Sequence, residues 1–344
     1  MKAAVIKQFG SMVVMDVPDP EPGEYDALCE ILYGATCTGT DSHILDGTFP
    51  WISPLPTIPG HESVGRVVKV GRKVRNYRIG DLVTRVGAPP CPQAGISVTW
   101  GGYAEMGIAR DHWAMCADRL PESEWGGSWR FNQVLPASVD PRAAPMFTTW
   151  RETLSYLTRM GVGAGSAVLV VGSGGNGIAY AAHALNLGAR LVAMVGSGRL
   201  KDRLTARLKL SAYVDHLSDD WAGPLRAACP EGFDFIIDAV GRNGVADRVL
   251  PCLRDGGKYG TYGLDDIGKI SINPSRARGT VVIHPCTYDE AETHQRVCEM
   301  YLHGKLDVSL WYDVGRPYPL ESINEAFRDL KERKTVKALI RMRG

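Results

Sequence analysis

Residues 167–187, AVLVVGSGGNGIAYAAHALNL, constrain this chain more than any other stretch. They open with a valine-rich apolar run, Ala167 to Val171, whose length suits a strand buried on both faces. Gly172-Ser173-Gly174-Gly175-Asn176-Gly177 then matches G-x-G-x-x-G, and small residues (Ala179, Ala181, Ala182, Ala184) fill the early turns of a helical segment. Strand, glycine turn and helix in this order are the context that a dinucleotide fingerprint requires. Gly172 serves the tight turn, Gly174 lets backbone N–H groups approach a pyrophosphate, and Gly177 lets helix and strand pack closely. Gly175 and Asn176 complete the cradle, and the helix N-terminus adds partial positive charge. By itself the motif leaves open a glycine loop without a ligand.

The pattern around this stretch alternates strand and helix. Apolar runs at 191–195, 233–240 and 258–262 read as strands, and 200–210 and 245–253 read as helices, the latter stopped by Asp255-Gly256-Gly257. Such alternation implies an α/β fold with a parallel, doubly wound sheet. A helical pattern from 141 to 160 precedes it. Residues 1 to about 120 read as all-β, with short strands at 2–6, 12–15, 26–33 and 62–70 (Gly65 at a bend), and Gly80-Asp81 before LVTRV. Short strands at this spacing suggest a small barrel. Residues 121–135, with two tryptophans and a Gly-Gly pair, read as a connecting loop or edge segment. After 280 come an apolar strand, 280–283, helices at 289–304 and 321–333, and a strand at 336–342, expected to return to the N-terminal domain.

The 344 residues suffice for about two domains. A net charge of +1 gives no electrostatic reason to expect nucleic acid or an acidic membrane surface as partner. No apolar run reaches membrane-spanning length, and MKAAVIKQFG has no signal-peptide core, so a cytoplasmic protein is expected. The eight cysteines form no C-x-x-C pair and read as mostly reduced thiols, with at most one or two metal ligands.

Cys37 lies in GATCTGTDSHILDG, and His61 and Glu62 in PTIPGHESVG. Thiolate and imidazole are good zinc ligands, and Glu62 offers an oxygen; singly, each also reads as a packed or hydrogen-bonded residue. Further blocks follow in order: Gly60-His61-Glu62 with Ser63 to Gly71, Gly80-Asp81-Leu82-Val83, Gly101-Gly102-Tyr103-Ala104-Glu105, and Asp234 to Gly241. Over nearly its whole length the chain resembles the medium-chain dehydrogenase/reductase superfamily, the zinc-dependent alcohol and polyol dehydrogenases. The resemblance implies a GroES-like β-barrel catalytic domain over 1–140, a Rossmann domain over 141–285 and a return to the catalytic domain over 286–344. It implies a catalytic zinc on Cys37 and His61, with Thr40 touching the substrate oxygen, His43 relaying towards solvent and Asp41 fixing a ligand. Hydride would pass between an alcohol or carbonyl substrate and the nicotinamide.

The third protein ligand of that family falls here at Thr148, a poor zinc ligand. Glu62 is the preferred replacement, which gives a metal set of Cys37, His61 and Glu62. Glu152, one helical turn past Thr148, is the other. Where many members carry four clustered cysteines, this chain has only Cys91, so no structural zinc is expected.

The second strand of the nucleotide domain ends in Gly196-Ser197-Gly198-Arg199, and no carboxylate appears before Asp202. NAD-specific members place an acid there for the ribose 2′-hydroxyl. Ser197 and Arg199 instead suit a 2′-phosphate, and NADP(H) is expected over NAD(H). Phe49 and Trp51 are substrate-facing or packing residues, and Tyr103 reads as a barrel residue. The reading leans to a sugar, cyclitol or polyol substrate. Alternatives are a zinc-free quinone or alkene reductase of the same superfamily and a non-catalytic NADPH-binding protein. The resemblance also implies a homo-oligomer, a dimer or tetramer.

Overall fold

The computed structural model describes residues 1–126 and 130–343. The second glycine and second tryptophan of the expected 121–135 link lie outside the described residues. The chain divides into two compact units, Met1–Arg151 with Glu290–Gly344, and Glu152–Asp289. The helix Met146–Met160 spans the first division, between Arg151 and Glu152.

The first unit is mainly β. Asp26–Ala35 is its central strand, pairing antiparallel with Glu62–Val70 along one edge and with Met106–Arg110 and Leu339–Arg341 along the other. Its sequence alternates: Ala27, Cys29 and Ile31 are fully buried and Leu28 and Glu30 are half-buried, the period-two pattern of a strand with one face on a core. Gly65 faces Ile31 where the register with Glu62–Val70 shifts, at the expected bend. Lys2–Gln8 and Ser11–Asp16 belong to a second, four-stranded sheet, and an isolated antiparallel bridge pairs Ala3 with Ala104, just before the strand Met106–Arg110. The strand Leu339–Arg341 shows that the chain returns to this unit after leaving it.

The expectation of an all-β segment up to residue 120 fails at two places. Thr38–Leu45 and His112–Ala117 are helices, the second capped by Asp111, whose carboxylate accepts from the Ala114 N–H at 3.1 Å. The barrel strand Leu82–Thr84 also ends earlier than expected, at Arg85, whose φ is +57°.

The second unit is a six-stranded parallel sheet. Its order is Ala212–Asp215, Leu191–Gly196, Ala167–Val171, Phe233–Asp238, Leu253–Thr261, Val281–His284. This is the doubly wound order, and it reverses between Ala167–Val171 and Phe233–Asp238, where such sheets bind their ligand. All five residues of Ala167–Val171 are buried, as their valine-rich sequence requires in a central parallel strand. The expected helix at 245–253 is shorter: the helix Val245–Val249 gives way to a 3-10 turn, Leu250–Cys252. Asp255-Gly256-Gly257 lies inside the strand Leu253–Thr261, where the register shifts and Gly256 takes a φ of +71°. No helix among the described residues is long and apolar enough to cross a membrane.

Candidate active site

In the first unit, Cys37 follows the central strand Asp26–Ala35 by two residues and stands at the N-cap of Thr38–Leu45. His61 and Glu62 stand at the start of Glu62–Val70, which pairs Glu62 with Ala35. That pairing brings the three side chains together: donor atoms of Cys37, His61 and Glu62 all lie within 4.8 Å of one another, and all three residues are buried. A thiolate, an imidazole and a carboxylate this close together could hold one zinc ion, with a fourth position left for a further ligand.

Asp41, on the first turn of the same helix, organises this cluster. Its carboxylate accepts from the Cys37 N–H at 2.8 Å and the Tyr103 hydroxyl at 2.5 Å, and lies 3.2 Å from His61 Nδ1. Burial opposes its ionisation, yet His61, the Cys37 N–H and Tyr103 together hold the carboxyl below its ordinary range. Burial likewise disfavours the imidazolium of His61, but Asp41 outweighs it and raises His61 well above its ordinary value. With Nδ1 engaged, Nε2 is the nitrogen that faces Glu62, 3.9 Å from Oε1. Tyr103, expected to be only a barrel residue, is thus a member of the network.

Glu62 is held from behind. Lys337 Nζ lies 2.6 Å from both of its oxygens and donates to the Thr36 carbonyl at 3.2 Å; the Thr149 hydroxyl donates to Oε1 at 2.7 Å. Burial works against the Lys337 ammonium, but Glu62 and Cys37 raise its pKa above the ordinary value. Sequence reasoning missed both Lys337 and Thr149. Thr149 adjoins Thr148, which stands at the family's third-ligand position, whereas Lys337 carries no local signal.

Thr40 and His43 sit on the helix Thr38–Leu45, three residues apart and so on one face; His43 Nδ1 is 2.7 Å from the Thr48 hydroxyl. Phe49 is buried against Trp51 and Trp100, and Trp100 packs on the His61 ring with centroids 5.0 Å apart. A cavity of about 150 Å³ is lined by His61, Arg85, Trp100, Phe131 and Asn132 among others. Cys91 lies beside Gln93, at 3.7 Å from its side-chain oxygen.

Glu152 belongs to the second unit and accepts from the Tyr262 hydroxyl at 3.2 Å. It is not part of the Cys37–His61–Glu62 group. In the same unit, Gly172 takes a φ of +111° and Gly174 is the N-cap of the helix Gly175–Asn186. A side chain at Gly177 would collide with the Gly172 carbonyl, whereas one at Gly174 would meet nothing within 4 Å. The turn is therefore closed on its packing side and open at the helix N-terminus, the shape a pyrophosphate needs.

Ser197 follows the strand Leu191–Gly196; its N–H donates to the Ser173 hydroxyl at 2.9 Å and its carbonyl accepts from Tyr213 at 2.7 Å. Arg199 is exposed, and its guanidinium has no partner among the described residues. The neighbouring strand Ala212–Asp215, absent from the sequence reading, brings an acid to this turn. Asp215 accepts from the Leu217 N–H at 3.1 Å, and its carboxylate packs closely against Gly198. The Leu217 N–H foremost, with His216 and the Gly198 N–H, holds its carboxyl below the ordinary range.

Comparison with known proteins agrees with this architecture. Residues 23–119 match the alcohol dehydrogenase GroES-like domain and residues 208–336 the zinc-binding dehydrogenase family. The chain is 28% identical to an L-threonine 3-dehydrogenase of Shewanella frigidimarina, over 80% of this chain and 81% of that protein. It is 25% identical to an L-galactonate-5-dehydrogenase of Escherichia coli, over 99% and 98%. Its fold superimposes on the alcohol dehydrogenase TADH from Thermus sp. ATN1 with a TM-score of 0.80 at 20% identity, covering 99% of each chain. With two GroES-like sheets, a doubly wound nucleotide sheet and both family matches, the chain belongs to the zinc-dependent medium-chain dehydrogenase/reductase superfamily.

Proposed function

We propose that the protein is a zinc-dependent oxidoreductase that moves a hydride between NADP(H) and an alcohol or carbonyl substrate of the sugar, cyclitol or polyol class. The convergence of Cys37, His61 and Glu62 within 4.8 Å carries this reading. The donor set suits zinc: a thiolate, an imidazole whose other nitrogen is oriented by a carboxylate, and an oxygen within reach. The charges also suit it. Lys337 neutralises Glu62, so Cys37 as thiolate and Asp41 leave two negative charges for a divalent cation.

When bound, zinc supplies Lewis acidity that polarises a substrate oxygen. The protein's own residues do the rest. Asp41 fixes the His61 ring, and Tyr103 and the Cys37 N–H keep Asp41 ionised. Thr40 would orient the substrate hydroxyl and relay its proton, giving its own hydroxyl proton to the His43 imidazole as it accepts the substrate's, and His43, its ring set by Thr48, would release a proton towards solvent. Gly172, Gly174, Gly175, Asn176 and Gly177 hold the pyrophosphate, while Ser197 and the unpaired Arg199 receive the 2′-phosphate. The relatives are named for threonine and galactonate, polar hydroxylated compounds, which supports a polyol-like substrate over a long aliphatic alcohol.

Elemental analysis of the purified protein, with turnover across polyols, sugars, simple alcohols and their carbonyl products, tests the proposal. About one zinc per chain, and polyol turnover that chelators abolish, is expected. Zinc well below one equivalent with chelator-resistant reduction of quinones or activated alkenes would replace it with the zinc-free reading.

A further inference from the structure

The turn that follows the second strand of a dinucleotide-binding sheet is where the adenosine ribose is read, and an acid there favours a free 2′-hydroxyl. Along the sequence this turn has none: Gly196-Ser197-Gly198-Arg199. The sheet order supplies one from the side. Ala212–Asp215 runs parallel to Leu191–Gly196, and the register pairs Gly196 with Asp215, so the Asp215 carboxylate arrives at the same level as the turn. It packs so closely on Gly198 that any side chain there would strike it. Tyr213, two residues earlier on the same strand, clamps the Ser197 carbonyl. Arg199, next in the chain, is exposed and unpaired among the described residues. One turn therefore carries a hydroxyl and a free guanidinium suited to a phosphate, and a carboxylate that opposes one.

We infer that Asp215 is a specificity-determining residue for the cofactor, weakening 2′-phosphate binding and offering an acceptor to a ribose 2′-hydroxyl, so that NAD(H) remains usable beside NADP(H). The inference rests on the reading of Ser197 and Arg199 as the 2′-phosphate site. Two charges of opposite sign on one exposed turn act on the same ligand group, and at such exposure each contributes a small factor. The balance between the two dinucleotides is then moderate and set by residues on two different strands.

The test is titration calorimetry of the full chain with NADP⁺ and with NAD⁺, for the parent and for Asp215→Asn, Asp215→Ser and Arg199→Ala. Removing the Asp215 charge is expected to shift the affinity ratio towards NADP⁺ by roughly two- to fivefold, in the isosteric and the smaller variant alike. A ratio that stays put, or two affinities that change together as they would for a merely disturbed turn, overturns the inference. Arg199→Ala judges the underlying reading separately: it should move the ratio towards NAD⁺, and if it does not, the 2′-phosphate site is misassigned whatever the Asp215 variants do.

Discussion

Lys337 Nζ sits 2.6 Å from both carboxylate oxygens of Glu62, and both side chains are shut off from solvent, at 0% and 1% exposure. The pair borders His61, whose Nε2 lies 3.9 Å from Glu62 Oε1, and Lys337 cancels the charge Glu62 brings to the metal site. Substituting Lys337→Met removes the ammonium from the buried Glu62 carboxylate and leaves it the Thr149 hydroxyl at 2.7 Å and, farther off, His61 Nε2 at 3.9 Å. The expected loss is about 3–5 kcal/mol of stability, the cost of stranding one partner of a buried ion pair. Urea unfolding measures it. The double variant Glu62→Gln with Lys337→Met should be markedly more stable than Lys337→Met alone, because no unpaired charge remains.

Asp41 receives three contacts at once, from Cys37, His61 and Tyr103. Asp41→Asn keeps the size of the side chain but removes the charge that holds the His61 ring. Zinc affinity should fall roughly 10- to 100-fold, the usual effect of losing the residue behind a metal-binding histidine. Competition with a chromogenic chelator reads this directly; unchanged zinc retention would remove Asp41 from that role.

Gly177 packs against the Gly172 carbonyl with no room for a methyl group. Gly177→Ala must therefore push the helix Gly175–Asn186 off the strand that precedes the turn. Nicotinamide dinucleotide binding should be lost or weakened at least about tenfold, since the pyrophosphate cradle depends on that close approach. Gly174→Ala meets open space instead, so it should reduce dinucleotide binding with little change in melting temperature. The contrast between the two variants separates packing from ligand contact.

His112 makes the first unit sensitive to acid. Burial pushes its imidazole down to about 4, although Asp111 opposes the shift. The Arg130 N–H points at Nε2 from 2.8 Å, a contact that needs this nitrogen unprotonated. An unfolded histidine titrates at 6.5, so between the two values the unfolded chain binds more protons. Stability from this group is complete above 6.5 and declines as pH falls towards 4. Melting temperature followed from about pH 7.5 down to about pH 4.5 should drop, and His112→Gln should flatten that drop.

What could be read from the sequence was whatever is encoded locally. Ala167–Val171 and its glycine turn were legible because a short β-branched run, three spaced glycines and an alanine-rich helix lie side by side. Cys37, His61 and Glu62 were legible as candidates because thiol, imidazole and carboxylate flank glycine turns. The helix Thr38–Leu45 was not, since TGTDSHIL has no apolar repeat to announce it and its burial comes from tertiary packing. Ala212–Asp215 is four residues long with no alternation to detect, and its acid matters only through the strand beside it. Lys337 illustrates the limit best: its partner lies 275 residues earlier, and nothing around it marks a buried ion pair.

The bond between Arg151 and Glu290 has a consequence for how the molecule is made. The first unit stops at Arg151 and resumes at Glu290, and these two residues are paired at 2.8 Å. The whole nucleotide-binding unit is therefore a loop inserted between neighbours. Closing so long a loop while it is still unstructured costs entropy, and that cost shrinks once the insert has folded and brought its own ends together. Lys337, Leu339 and Ile340 all follow the insert in the chain, yet they neutralise Glu62 and extend the sheet beside Cys37. A ribosome must therefore finish the cofactor-binding unit before the metal-binding unit can be completed, and the barrel waits with an uncompensated Glu62 until it does.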